Sequence, residues 1–252
     1  KSTLWDKTSS MNSYRWQKRF TTMTNNTIIS LQGVSMNYGE RPILENIGFS
    51  VDKGDFIAIT GPNGGGKTTF LRIILGLLEP VAGKVEYFAG GKPARRLNVG
   101  YLPQKNAIDS HFPITIEEVI QSGLDNATKP FHRLSKEERR QVDETLSLVG
   151  LTGLRNSSIG QLSGGQLQRA LLGMAIISKP EVLVLDEPLS YIDKSFEQVF
   201  YNIIATLAAT TTILLVSHEI TAIARMATRH VIIDRTLHEC HAAHHGVITS
   251  CE

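Results

Sequence analysis

The sequence predicts an α/β protein with a largely parallel core sheet, an N-terminal antiparallel β subdomain and a helical insert. A short apolar strand at 56–59 is followed by a glycine-rich loop and by a helical pattern at 67–77. Strand and helix patterns alternate again after residue 180, which is the order of a parallel sheet with crossover helices. Between about 105 and 160, strand patterns are scarce and helical patterns dominate.

The predicted strands begin near Thr27. Residues 27–34 and 43–51 combine β-branched side chains with broken alternation, as strands do. Residues 56–59 are apolar throughout, which is typical of a strand covered on both faces. Further strands are predicted at 99–102, 182–185, 213–216 and 231–234.

Helices are predicted from their periodicity and their ends. Ser135-Lys-Glu-Glu138 is a capping box, because Ser and Glu three residues apart can each bind the other's backbone N–H. The helix that follows is expected to run to Val149 and to stop at Gly150. Other helices are predicted at 116–120, 165–178 and 220–227.

Composition excludes several classes of protein. The 252 residues include 26 Lys and Arg against 24 Asp and Glu, a balance that argues against a nucleic-acid partner. Only two cysteines are present, so a disulfide framework is not expected. We expect instead that the protein lies in a reducing compartment. The longest apolar runs fall far short of the ~20 residues that cross a bilayer, so we expect a soluble protein.

Three regions are predicted along the chain. Residues 26–235 form one domain, with the helical insert at about 105–160. Residues 1–25 are basic and rich in Ser, Thr and Asn, and we expect a disordered or non-native extension; a transit peptide is the alternative. Residues 236–252 are predicted to be a polar tail that contains His and Cys.

The glycine-rich loop, Gly61-Pro-Asn-Gly-Gly-Gly-Lys-Thr68, fits the pattern G-x-x-x-x-G-K-[ST] between a strand and a helix. Glycines let backbone N–H groups converge on phosphate oxygens, and the helix directs the positive end of its dipole at them. Lys67 is expected to reach the β- and γ-phosphates, and the Thr68 hydroxyl to bind Mg²⁺. This loop predicts a P-loop NTPase.

A buried strand, Val182-Leu-Val-Leu-Asp186, ends in two acids, Asp186 and Glu187. An Asp at this position can hold the Mg²⁺ shell, and the next carboxylate can orient an attacking water. Alone the pattern is weak, since strands often end in solvent-facing acids. Together with the phosphate loop it predicts a hydrolytic site.

Leu162-Ser-Gly-Gly-Gln166 lies between the phosphate loop and the acidic strand, and Ser163 there is a good helix N-cap. With these three motifs in this order, residues 28–234 resemble the ATP-binding subunits of ABC transporters. In that family Leu-Ser-Gly-Gly-Gln is the signature, which binds the γ-phosphate.

The resemblance extends to single positions. Gln104 is similar to the Q-loop glutamine, His218 to the switch histidine, Asp193 to the D-loop aspartate and Tyr38 to the aromatic residue that stacks on adenine. It implies catalysis by Glu187, His218 and Lys67, and Mg²⁺ held by Thr68, Gln104 and Asp186. The residues that it implies for binding ATP are Tyr38, Gly61, Pro62, Asn63, Gly64, Gly65, Gly66, Lys67, Thr68, Thr69, Gln104, Ser163, Gly164, Gly165, Gln166 and Asp193.

The resemblance also implies partners. Each ATP in this family lies between the phosphate loop of one subunit and the signature of another, so one copy of each motif implies a homodimer. The segment between Lys67 and Ser163 is too short for the long coiled coils of chromosome-structuring relatives. We therefore expect a peripheral subunit on the cytoplasmic face of the membrane, docked on a separate permease and served by an extracytoplasmic solute-binding protein.

Two segments suggest the cargo. Residues 99–105 and 112–120 are similar to the zinc- and manganese-uptake branch of the family. Import of an iron chelate or cobalamin, and a two-component exporter, stay open as alternatives. A soluble, permease-free ATP-driven switch is the alternative from another class.

The sequence departs from the family at two places. Gly65 stands where Ser or Ala is more common, and its extra freedom in the unfolded chain predicts a loss of about 0.5–1 kcal/mol. Gly173-Met174-Ala175 replaces an Ala-Arg-Ala run, which predicts altered packing.

The end of the chain is rich in metal-binding residue types. The candidate ligands are His238, Cys240, His241, His244, His245 and Cys251. Such side chains can bind Zn²⁺, although their spacing matches no zinc-finger pattern. A regulatory metal site and a flexible terminus without function both stay open.

Overall fold

The computed structural model describes residues 26–104, 113–124, 134–190, 194–217 and 226–240. The expectations for residues 1–25, for Asp193, for His218 and the helix after it, and for the segment after Cys240 lie outside these ranges.

Ten strands are described: β1 (Thr27–Tyr38), β2 (Arg41–Asp52), β3 (Phe56–Thr60), β4 (Ala82–Ala89), β5 (Lys92–Ala94), β6 (Val99–Leu102), β7 (Val182–Asp186), β8 (Thr212–Val216), β9 (Arg229–Asp234) and β10 (Thr236–Cys240). The described α-helices are α1 (Lys67–Ile74), α2 (Ile116–Gln121), α3 (Lys136–Leu148), α4 (Gly164–Ile176) and α5 (Lys194–Ala208). Short 3₁₀ turns lie at Thr152–Leu154 and Ile159–Gln161. Within these ranges, no helix combines the length and the apolar character needed to cross a bilayer.

The strands form two sheets, and the predicted fold class is confirmed. The N-terminal sheet has four antiparallel strands in the order β2-β1-β4-β5. The core sheet has the order β10-β9-β3-β8-β7-β6, with β9 to β6 parallel and β10 antiparallel at the edge. Its central strands β7 and β8 are buried along their whole length, which explains their continuous apolar sequences.

The helices of the insert pack against α4. Thr115 and Ser135 are the N-caps of helices α2 and α3, and each forms a capping box. A Cβ on Gly173 of α4 would lie 3.1 Å from the Ile120 side chain and 3.2 Å from that of Thr145. The absence of a side chain at 173 therefore lets α2 and α3 pack closely on α4, which is the structural role of this departure from the family.

Several predicted boundaries differ from the structure, and two of the differences have a clear physical reason. The helix predicted at 67–77 ends at Ile74, because Gly76 adopts a left-handed conformation (φ +66°) and its N–H closes a turn on Ile73 O. The apolar residues beyond it are partly exposed loop. Residues 236–240 belong to β10 and not to a tail: an edge strand can expose alternate residues, and Thr236 and His238 are exposed here.

Because the central strands are parallel, their carboxyl ends lie along one edge of the sheet. The glycine-rich loop follows β3, Gln104 lies two residues after β6, and Glu187 follows Asp186 at the end of β7. The order β3-β8-β7-β6 thus brings three distant motifs to neighbouring positions. Such an edge is where α/β sheets bind ligands.

We predict that Gly100→Ala destabilises the protein by about 3 kcal/mol. A Cβ at this position of β6 would lie 1.9 Å from Ala175 O and 2.9 Å from Pro180 Cγ, so α4 would have to move away from the sheet. Chemical denaturation measures the loss. Gly48→Ala in β2 is the matched control, since nothing lies within 4 Å of its Cβ position; an equal loss there would contradict the explanation.

Candidate nucleotide site

The backbone of the glycine-rich loop and the start of α1 have a geometry that suits an anion. Helix α1 starts after Gly66 (φ +103°), without a side-chain cap and without an acid in its first turn. Gly61 and Gly64 also have positive φ values, which a side chain would strain. Since the first N–H groups of a helix have no partner within it, they are available to an anion such as a phosphate.

Lys67 is buried, with 7% of its surface exposed. Its Nζ donates hydrogen bonds to the carbonyl oxygens of Gly61 and Pro62, each at 2.9 Å. These two carbonyls hold the ammonium group at the loop itself. The lysine therefore lies where a phosphate bound by the loop would meet a positive charge.

Asp186 lies at the end of β7 and is 1% exposed. Thr68 Oγ1 donates a hydrogen bond to its Oδ2 at 2.9 Å, whereas Oδ1 is buried without a hydrogen-bond partner in the part of the chain that the structure describes. Burial raises the pKa of Asp186, against the opposing effect of the Thr68 hydrogen bond. A hydroxyl beside a carboxylate with an unused oxygen is a donor set that fits Mg²⁺.

Glu187 is held in a strained position. Its φ of +52° is unusual for a residue with a side chain. Its N–H donates to Val216 O at 3.0 Å, and Ser190 Oγ donates to its carbonyl oxygen at 3.0 Å. Gln104 Nε2 donates to Glu187 Oε2 at 3.0 Å, which orients the carboxylate.

The signature motif is at the start of α4. Ser163 is the N-cap: its Oγ accepts from Gln166 N–H at 3.2 Å, and the Gln166 side chain accepts from Ser163 N–H at 2.9 Å. Ser163 is exposed, and Gly164 and Gly165 are partly so. This helix start is therefore accessible to a ligand or to another subunit.

Tyr38 is half exposed at the end of β1. It pairs with Arg41 across the turn, and the Arg41 guanidinium is 3.9 Å from the position of a Cβ on Gly64. The turn that carries Tyr38 thus lies beside the phosphate loop.

Pro62 and Asn63 are exposed, whereas Thr69 is buried at the base of the loop. The roles given to Asp193 and His218 stay predictions.

Sequence reasoning missed two residues of the site, Arg72 and Tyr101. Burial raises the pKa of Asp186, and the positive charge of Arg72 is the smallest of the effects that oppose it; burial and then the negative charge of Asp186 raise the pKa of Tyr101. Arg72 also hydrogen-bonds Tyr101. The signal for Arg72 was available, because it lies four residues after Thr68 and so on the same helix face.

The turn between β9 and β10 supports the glycine-rich loop from behind. Arg235 N–H donates to Gly65 O at 3.0 Å. A Cβ on Gly61 would lie 2.0 Å from Ile233 O, and one on Gly65 would lie 2.7 Å from the same oxygen. Glycine at 65 therefore permits close backbone packing here, so the loss expected from its flexibility is not the dominant effect.

Comparison with known proteins agrees with this geometry. The family described as ABC transporter matches residues 44–190. The chain is 38% identical to the zinc uptake system ATP-binding protein ZurA of Listeria innocua, over 85% of this chain and 88% of that protein. It is 32% identical to the high-affinity zinc uptake system ATP-binding protein ZnuC of Bacillus subtilis, over 82% and 91%.

The chain belongs to the ABC transporter family. Its structure is similar to a dimeric ATP-binding cassette in a post-hydrolysis state with ADP and phosphate, with a TM-score of 0.72 and 25% identity over 86% of this chain and all of the other. The protein is thus an ABC ATPase, which binds and hydrolyses ATP.

We predict that Gly65→Ala in this ABC ATPase destabilises the fold, by about 1–3 kcal/mol. Alanine at position 65 restricts the unfolded chain and so raises the free energy of unfolding by about 0.4–1 kcal/mol. This gain is smaller than the penalty of displacing Ile233 O. Thermal or chemical unfolding of the nucleotide-free protein measures the difference. An increase in stability would show that the β9–β10 turn yields readily.

Asp186→Asn should stabilise the nucleotide-free protein and lower its ATPase activity. The fold raises the pKa of Asp186, so stability is greatest below the unfolded pKa and is lost as pH rises through the folded pKa. A neutral Asn avoids this loss at pH 7, and Tm should rise by roughly 2–4 °C, the shift that 1 kcal/mol produces in a chain of this size.

In the same variant Mg²⁺-dependent ATPase activity should fall about a hundredfold, because Asn carries no charge for the cation. Calorimetry and a phosphate-release assay give the two values. An unchanged Tm together with full activity would contradict both the burial penalty and the metal assignment.

Proposed function

We propose that this ABC ATPase powers the uptake of a divalent metal ion, zinc or manganese, through a separate membrane permease. ZurA and ZnuC, to which it is similar over most of their lengths, are named as ATP-binding proteins of zinc uptake systems. Segments 99–105 and 112–120 support the same branch. The match covers 88% and 91% of these two relatives, which supports one shared role for the subunit.

The observation that supports ATP hydrolysis at this site is the Gln104–Glu187 hydrogen bond. It directs one carboxylate at the edge where Lys67, Thr68 and Asp186 converge. Thr68, Asp186 and Gln104 are the residues that would hold Mg²⁺, which when bound would supply positive charge to the phosphates. Lys67 binds the β- and γ-phosphates, and Glu187 orients the attacking water and accepts its proton.

ATP is proposed to lie between two copies of the chain. Ser163 caps an exposed helix start, so a phosphate bound to another subunit can reach it. The cassette described above was solved as a dimer with ADP and phosphate. ATP favours the closed dimer and hydrolysis reopens it, which gives the differential affinity needed to move a partner.

The permease is proposed to dock on the helical insert. An open groove of about 810 Å³ lies there, lined by Thr115, Glu117, Glu118, Gln121, Leu134, Arg139 and Asn156. Its two glutamates and one arginine suit a polar helix with a basic residue. The subunit then lies on the cytoplasmic face of the membrane, and a solute-binding protein delivers the ion on the other side.

Total cell metal, measured by mass spectrometry in a strain that lacks the protein, tests this function. Zinc or manganese should fall and should recover with the wild type but not with Glu187→Gln. The Gln side chain keeps the shape of Glu187 and removes the proton acceptor, so ATPase activity should fall about 10²–10⁴-fold.

Glu86→Gln is the matched control, because Glu86 lies on β4 and pairs with Lys84 at 3.0 Å, away from the site. It should restore metal content as the wild type does. Unchanged metals in the deletion strain, with ATPase activity intact in vitro, would overturn the metal assignment. They would redirect the search to an iron chelate, cobalamin, an exported cargo or a permease-free role.

A further inference from the structure

An arginine at the start of β2 brings a positive charge to the phosphate loop. Arg41 is exposed, and its Nη2 lies 3.9 Å from the position that a Cβ would take on Gly64. Its guanidinium has no hydrogen bond or ion pair with the residues that the structure describes. All of its donors are thus available to an anion at the loop, and a guanidinium binds phosphate well.

Contacts of the backbone fix where this side chain begins. A Cβ on Gly66 would lie 2.9 Å from Ile43 O, so β2 packs directly on the end of the loop. Glu45 N–H donates to Arg235 O at 2.8 Å, in the same turn that bonds the loop from behind. The first residues of β2 are therefore held against the loop, and the position of Arg41 follows from the fold.

The same hairpin presents Tyr38, the residue that the family resemblance assigns to adenine. Tyr38 and Arg41 are directly opposite each other in the antiparallel register. Side chains in such pairs share one face of the sheet. Arg41 therefore lies between a base stacked on Tyr38 and the phosphates at the loop. In a nucleotide, the phosphate nearest to the base is the α-phosphate.

The gap between Arg41 and the loop has the size of one phosphate group. By standard bond lengths, a Cβ lies about 2.5 Å from the backbone nitrogen of its own residue, so Arg41 Nη2 is within about 6.4 Å of Gly64 N. A phosphate that accepts a hydrogen bond of about 2.9 Å on each side can bridge this distance. The arginine can thus reach a phosphate at the loop without a change in the backbone.

From this geometry we infer that Arg41 binds the α-phosphate of the nucleotide, so that the affinities for ATP and for ADP depend equally on it. Its planar fork can donate two hydrogen bonds to one phosphate. Because the α-phosphate takes no part in the cleaved bond, the contact serves binding and not the chemical step. The inference goes beyond metal uptake, and it rests on the position of the phosphates in the proposed function.

Arg41→Gln tests the contact on the purified full chain. The Kd of ADP, from calorimetry, and the KM of ATP, from phosphate release, should each rise about tenfold, because a charge-assisted contact is lost. The kcat at saturating Mg²⁺-ATP should stay within about twofold of the wild-type value, as expected for uniform binding. Wild-type Kd and KM would overturn the inference. A loss confined to ATP would overturn the assignment to the α-phosphate.

Arg95→Gln is the matched control. It makes the same change at an exposed residue that follows β5, at the edge of the N-terminal sheet opposite β2. It should bind both nucleotides as the wild type does. An equal loss in Arg95→Gln would show that net charge sets the affinity, and would refute a contact at the loop.

Arg41→Lys keeps the charge without the fork, so the Kd of ADP and the KM of ATP should rise about threefold. A thermal unfolding curve accompanies each variant, and Arg41→Ala, which removes the same group, replaces Arg41→Gln if the latter fails to fold. Failure of the wild type to bind ADP would overturn the phosphate site itself. These assays need no permease, so their failure is distinct from a failure of the cell-metal experiment.

Discussion

The hydrogen bond from Thr68 to Asp186 joins two motifs that are more than a hundred residues apart in sequence. Strand β8 lies between β3 and β7, so the ends of these two strands are about 10 Å apart, twice the spacing of neighbouring strands. The first turn of α1 spans this gap and brings its hydroxyl to the carboxylate. Everything else in the site is arranged around this contact: Lys67 precedes Thr68, and Glu187 follows Asp186.

Two residues of the site lower the stability of the folded protein. Asp186 is a buried carboxylate whose Oδ1 has no hydrogen-bond partner among the described residues, and Glu187 has a positive φ. Both features are unfavourable in the nucleotide-free protein, and in the proposed mechanism they place one oxygen for Mg²⁺ and one for the attacking water. The surrounding structure offsets the penalty with buried strands on either side and with the backbone contacts behind the glycine-rich loop.

Elements with local signals were predictable. The capping box at Ser135 and the N-cap at Ser163 lie where the sequence puts them, because a cap and its partner are only three residues apart. The apolar strands β3, β7 and β8 were equally clear. In contrast, β4, β5 and α5 were not predicted, and β10 was assigned to a tail. The strands β5 and β10 are polar strands at sheet edges, which gain their structure from hydrogen bonds to a neighbour that no local pattern records. Helix α5 does carry a local signal, since its buried residues Phe196, Phe200 and Ile203 recur at helical spacing.

The sequence by itself determined which chemical groups the site contains and in which order along the chain: the glycines, Lys67, the two acids and the signature. Only the tertiary structure decided which atoms meet. It placed Ile233 O against Gly61 and Gly65, Arg72 near Asp186, Gln104 on Glu187 and Arg41 beside Gly64. These contacts depend on strand order and register, which arise from packing over the whole domain rather than from neighbouring residues.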